Sequence, residues 1–123
     1  MHMDVPPLVY LSGPYTQRDS LNEKDHLRIA CGLANAIMEE VDCSVYVPHL
    51  NYVWDELTPL PYEVWMERQL KILQKCNILF RMSGNSPGAD REVDLARKIG
   101  IPIYYTISQL KKNASYHTLE IQI

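Results

Sequence analysis

Short apolar runs alternate with amphipathic stretches of helical length, and this alternation constrains the chain more than any other feature. Leu8-Val9-Tyr10-Leu11 reads as a buried strand that stops at the loop Ser12-Gly13-Pro14-Tyr15. From Asn22 to Glu40 the apolar residues recur at helical spacing, with Leu27, Ala30, Ala34, Ile37 and Val41 on one face. Ser44 to Val47 is a second strand closed by Pro48, and residues 49–61 read as a long aromatic loop of the kind that covers a site. Tyr62 to Lys75 is helical, Asn77 to Met82 a strand, and Ser83 to Gly88 a glycine-rich turn. Gly88 to Ile99 is a third helix ended by Gly100 as a left-handed cap, and Ile101 to Tyr105 is the fourth strand. The strict alternation of Thr118-Leu-Glu-Ile-Gln-Ile predicts an antiparallel or edge strand in the tail. This order predicts a single α/β domain over residues 1–123, with a mostly parallel four- to five-stranded sheet flanked by helices, flavodoxin- or Rossmann-like. Ligands of such sheets bind beyond the carboxyl ends of the strands. Ser12 to Arg18, Pro48 to Pro61 and Ser83 to Ala89 all fall there.

With 123 residues and 46% hydrophobic content the chain can bury a real core. Its net charge of −3 leaves no basic surplus, which argues against a nucleic acid polymer as partner. A small anion is still admissible, because a helix N-terminus can hold a phosphate without net positive charge. Cys31, Cys43 and Cys76 are odd in number and lack metal-ligand spacing, so they read as reduced core residues of a cytoplasmic protein. No apolar run approaches a membrane span and no signal-peptide pattern opens the chain. Neither a metal nor a cofactor is expected.

Two polar residues stand on apolar stripes. Ala89, Leu95, Ala96 and Ile99 form the stripe of the third helix, and Glu92 falls in its centre, away from the polar face of Asp90, Arg91, Asp94, Arg97 and Lys98. A buried carboxylate without partners costs several kcal/mol, comparable with the whole stability of a small domain. Glu92 is therefore either a hydrogen-bonded structural carboxylate or a functional one. On the second helix Tyr62, Trp65, Ile72, Leu73 and Cys76 form the stripe and Gln69 sits among them, while Glu67 and Lys71 point away. Gln69 alone is more simply a satisfied core amide; together with Glu92 it indicates a shared pocket. Ser86 is a good N-cap with Pro87 at the first helical position, a geometry that also presents a hydroxyl and free N–H groups to a phosphate or sugar. Ser12-Gly13-Pro14 is explained by a tight turn alone, and His49 reads either as a ligand contact or as a loop anchor.

Tyr10-Leu-Ser-Gly-Pro-Tyr15, the run from Leu70 to Leu79, Ser86-Pro-Gly-Ala-Asp-Arg-Glu92, Ala96 and Gly100-Ile-Pro102 together resemble the nucleoside 2-deoxyribosyltransferase superfamily. The likeness runs from about Leu8 to Tyr105, and is closest to short phage and bacterial relatives and to 2′-deoxynucleoside 5′-phosphate N-hydrolases. The resemblance implies that Glu92 attacks the anomeric carbon of a nucleoside or nucleoside 5′-monophosphate. A covalent glycosyl-enzyme then forms and is resolved by water or a second base, the logic of a retaining glycosidase. It also implies substrate contacts from Ser12, Gly13, Pro14 and Tyr15, with Ser86 on the sugar or phosphate and Gly88 and Asp90 beside it. Gln69 stands where the family has an inward Asp, and an amide cannot shuttle protons; Asp90, Asp55 or Glu56 are the available replacements. Relatives complete each pocket with residues of a neighbouring subunit, which implies a homodimer or larger, with Asn113, Ser115 or Tyr116 of the polar tail contributing. Two other readings stand beside the enzyme: a nucleotide-binding module without turnover, and a glycohydrolase of larger nucleotides such as NAD. The lack of a dinucleotide fingerprint weighs against the latter.

Overall fold

The computed structural model describes residues 5–14 and 23–118. Its elements are β1 (Leu8–Ser12), α1 (Glu23–Glu40), β2 (Ser44–Tyr46), a 3₁₀ turn (Pro48–Leu50), α2 (Asn51–Leu57), α3 (Tyr62–Leu73), β3 (Ile78–Arg81), α4 (Pro87–Ile99), β4 (Ile103–Tyr104) and α5 (Ile107–Thr118). The four strands pair in the order β2-β1-β3-β4, every pair parallel. The chain order reverses between β1 and β3, so the crevice beyond their carboxyl ends is the natural ligand position.

The period of two along β1 separates the two sides of the molecule. Val9 and Leu11 face one core, with Phe80 of β3, Ala30, Ala34 and Ile37 of α1, and Leu110 of α5. Tyr10 faces the other, with Leu79, Leu73 and Cys76 at the end of α3, and Val93 and Ala96 of α4. Both faces of the sheet are therefore covered, as parallel sheets require. Cys76 is buried and Cys31 and Cys43 half-buried; all three are free thiols. No helix among the described residues is long and apolar enough to cross a membrane.

Three expectations are corrected. Residues 49–61 are not one loop: Pro48 fixes the first position of the 3₁₀ turn, which runs into α2, and only residues 58–61 are irregular. Asp55 holds that remnant by accepting from Leu60 N–H at 2.9 Å and Trp65 Nε1 at 2.6 Å. The segment holding Asn113 and Ser115 is helix α5 rather than a polar tail, and Thr118 ends that helix. Thr106 starts it in the manner of a capping box: Gln109 N–H donates to Thr106 Oγ1 at 3.1 Å, and Gln109 Oε1 accepts from Tyr105 N–H at 2.9 Å. The rest of the expected tail strand, residues 119–123, lies outside the described residues. On α4 the buried positions are Ala89, Glu92, Val93 and Ala96. Ile99 is exposed because the last turn is left uncovered, and Leu95 is only half-buried.

Gly13 sits where β1 leaves the sheet beside β3. A Cβ there would lie 2.7 Å from Met82 Cβ, backbone-anchored on both sides. Gly13→Ala is accordingly expected to cost about 1–3 kcal/mol, the range for overpacking, measured as a drop in the urea midpoint at unchanged slope. An unchanged midpoint would contradict the close approach.

Candidate active site

The helix α4 begins as the sequence predicts. Ser86 Oγ accepts from Ala89 N–H at 3.1 Å, Pro87 occupies the first turn, and Gly100 ends the helix at φ 84°. This fixes the rotation of α4 so that Glu92, 4% exposed, faces the sheet beside the end of β1. Tyr10 and Ser12, two residues apart and hence on one side of the strand, both reach it. Tyr10 Oη donates to Glu92 Oε2, and Ser12 Oγ donates to Oε1 at 2.7 Å. Both donors are fully buried. Each carboxylate oxygen thus has one hydroxyl donor, which orients the group as well as satisfying it.

Burial pushes the Glu92 carboxyl up to about 7, opposed by the hydrogen bonds from Tyr10 and Ser12 and by the charge of Arg81. At neutral pH the group is poised between its two forms. Burial first, then the neighbouring Glu92, raises the Tyr10 phenol far above its usual range, so it remains a donor. Arg81 ends β3 opposite Ser12 in the register. Its guanidinium donates to the carbonyls of Met82 and of Gly84 (2.9 Å for the latter) and lies 3.6 Å from Asp90. It therefore clamps the β3–α4 turn while placing a positive charge near Glu92.

Gln69 is buried on α3, 3% exposed, and its Nε2 has no hydrogen-bond partner among the described residues. The expectation of an inward amide holds, and the bland reading of a satisfied one does not. Gly88 is a packing position: a Cβ there would lie 3.0 Å from Tyr62 Oη and 3.2 Å from Met66 Cε, so its absence lets α3 approach α4. His49, fully buried, lies against the backbone of Gly13 and Pro14; burial lowers its pKa to about 4. These contacts make it an anchor for the first loop. Asp90 is exposed and turned to Arg81, Glu56 is exposed, and the Asp55 carboxyl is lowered by its bonds to Leu60 and Trp65. None of the three is placed as an acid beside Glu92. Tyr15 lies outside the described residues. No group of three His, Cys, Asp or Glu among the described residues is arranged to hold a metal.

Two cavities among the described residues are lined without Glu92. One, about 670 Å³, opens on the α1 and α5 side and is lined by Pro14, His26, Met82, Ser83, Asn85 and Tyr105. The other, about 270 Å³, lies between Tyr46, Asn51, Trp54, Trp65 and Arg68. There the Trp54 and Trp65 rings meet edge to face at 5.1 Å, and the Arg68 guanidinium covers both. Sequence reasoning missed Tyr10 and Arg81. Tyr10 was legible as the strand neighbour of Ser12 on the Glu92 face, whereas nothing in the residue pattern marked Arg81.

No family model and no curated protein matches the chain. Among solved structures it is similar to a conserved protein of Enterococcus faecalis V583, with a TM-score of 0.64 and 18% identity over 80% of this chain and 62% of that one. The chain thus spans less than two thirds of that protein. It is also similar to a 2-deoxyribosyltransferase of Bacillus psychrosaccharolyticus, described as a biocatalyst for nucleoside synthesis, with a TM-score of 0.61 and 12% identity over 94% of this chain and 99% of that one. At such identities the likeness is one of fold: this chain has a deoxyribosyltransferase-like α/β fold.

Proposed function

We propose that the protein cleaves or exchanges the N-glycosidic bond of a nucleoside or nucleoside 5′-monophosphate, with Glu92 as nucleophile. The observation that carries this reading is the Glu92 carboxylate, buried at the carboxyl end of β1 and gripped by Tyr10 and Ser12. A carboxylate held this way is oriented toward an electron-poor carbon and stabilises its developing positive charge. It bonds to C1′ as the base departs, and water or a second base then displaces it. Ser86 and the start of α4 supply the binding subsite for a sugar hydroxyl or phosphate. The Ala89 N–H is engaged by Ser86 Oγ, so Ser86 must rotate or share that bond when it binds a ligand.

The test is incubation with a panel of nucleosides and monophosphates, neutral and cationic bases included, followed by chromatography for free base. Release that depends on Glu92 supports the enzyme. Tight nucleotide binding without release would favour the binding module, which the lack of an acid placed beside Glu92 among the described residues otherwise recommends.

We also place the protein in a homodimer or larger assembly. Val53, Trp54, Leu57 and Tyr62 are exposed around α2 and the start of α3, an apolar grouping that association would cover. The solution mass at micromolar concentration is expected to be at least that of a dimer, and a strictly monomeric mass would contradict this.

A further inference from the structure

Gln69 carries a buried donor with no acceptor among the described residues. An unmade bond of this kind destabilises the folded protein, and a ligand atom would remove the cost. The position lies beside Glu92. On the buried face of α3, Met66 meets Gly88 in the first turn of α4, and Leu73 packs with Tyr10, Val93 and Ala96. Gln69 is one turn from each, and Glu92 lies between Gly88 and Val93 on the facing helix. The amide and the carboxylate therefore share one stretch of the α3–α4 contact.

A carboxamide offers hydrogen bonds but no transferable proton. Several groups near this end of the sheet are engaged, Tyr46 with Asn51 among them. Tyr10 Oη donates to Glu92, and Asp55 accepts from Leu60 and Trp65. Asp90 is turned outward to Arg81, and His49 lies buried against Gly13 and Pro14. Among the described residues, none of these groups is placed to protonate a departing base. Arg81, the cation acting on Glu92, is itself occupied by the carbonyls of Met82 and Gly84 and lies near the Asp90 carboxylate.

We propose that Gln69 restricts the Glu92 site to nucleosides or nucleotides whose base is already a cation, such as an N7-alkylated purine or a pyridinium, and that its amide donates to an oxygen of that ligand. This rests on Glu92 being the nucleophile proposed above. A Glu92 oxygen bonds to C1′ while the C1′–N bond breaks. The electron pair stays on the nitrogen and neutralises the base, so no proton is taken up. Water then attacks C1′, the ester C–O bond breaks, Glu92 regains its pair as carboxylate, and the surplus proton passes to solvent. A neutral base leaving by the same route would depart as an anion, and none of the groups named above among the described residues is placed to protonate it.

The experiment compares base release from N7-methylguanosine and guanosine, and from the 2′-deoxy and 5′-phosphate forms of each, corrected for spontaneous cleavage. Release from a methylated member is expected to exceed that from its parent by at least about 10²-fold, the usual contribution of a general acid. Gln69→Asp, which installs an acid, is expected to raise the parent-to-methylated ratio by about tenfold or more. That ratio is insensitive to the fraction of variant that folds. Comparable release from parent and methylated nucleosides by the wild type would overturn the restriction and leave Glu92 as nucleophile. An unchanged ratio in Gln69→Asp would overturn the role of Gln69. No release from any of them would overturn both the restriction and the enzymatic reading.

Discussion

Glu92→Gln is expected to abolish base release and, at the same time, to make the protein harder to unfold at alkaline pH. The loss of activity should be at least about 10³-fold, as for removal of other enzymatic nucleophiles. The gain in stability follows from burial. The folded carboxyl titrates at about 7 against an ordinary value of 4.5. A group that holds its proton more tightly when folded contributes stability that is complete below the unfolded value and is lost as pH rises through the folded one. The shift corresponds to on the order of 3 kcal/mol. An uncharged amide of the same shape avoids that loss, so at about pH 8 the variant should be more stable by roughly 1–3 kcal/mol, with no gain at about pH 4. His49 acts in the opposite sense: with its pKa lowered from 6.5 to about 4, it contributes stability present above 6.5 and lost as pH falls through 4. The two slopes offset each other where they overlap, so the wild type alone will not reveal either. Urea unfolding of both proteins at the two pH values is the measurement. Equal stabilities at the alkaline value, or retained base release, would count against a buried ionisable nucleophile.

Tyr10→Phe is the second large effect, and it should appear as a shift rather than a loss. The Tyr10 hydroxyl stabilises the ionised form of Glu92. Removing it raises the Glu92 pKa above 7 and moves the acid limb of the release-against-pH profile upward by about one unit. Activity at neutral pH falls, and part of it returns at higher pH. The change deletes only an oxygen, so the ring keeps its place beside Tyr46, 5.5 Å away between centroids. A uniform fall across the whole profile would indicate packing damage instead and would remove Tyr10 from the control of Glu92.

Elements governed by local rules were legible in the chain. The cap Ser86, the proline after it and the terminal Gly100 delimit α4, and helical spacing alone singles out Glu92 and Gln69. What was missed depends on partners distant in sequence. Helix α2 is seven residues long, buries no residue and has no side-chain cap at its N-terminus, so its 3₁₀ entry and the contacts of Trp54 and Asp55 decide it. Tyr10 read as one more apolar strand residue because its partner lies 82 positions away. Arg81 acts through backbone carbonyls of the turn that follows it, a geometry with no residue pattern to announce it. The capping residues Thr106 and Gln109 of α5 were legible, yet the alternating tail beyond them drew attention to a strand instead.

The strand that grips Glu92 is paired on both edges, with β2 on one side and β3 on the other. Tyr10 is held from both sides, whereas Ser12, the last residue of the strand, pairs with β3 alone, so Tyr10 belongs to the part of the sheet that opens last. Amide exchange at Val9 and Tyr10, paired on both sides, should be among the slowest in the molecule, and the Tyr10 hydroxyl should stay in register through sub-global fluctuations. Activity lost to denaturant would then follow the global transition rather than precede it. This sets the carboxylate apart from sites built on lids, whose chemistry fails well before the fold does.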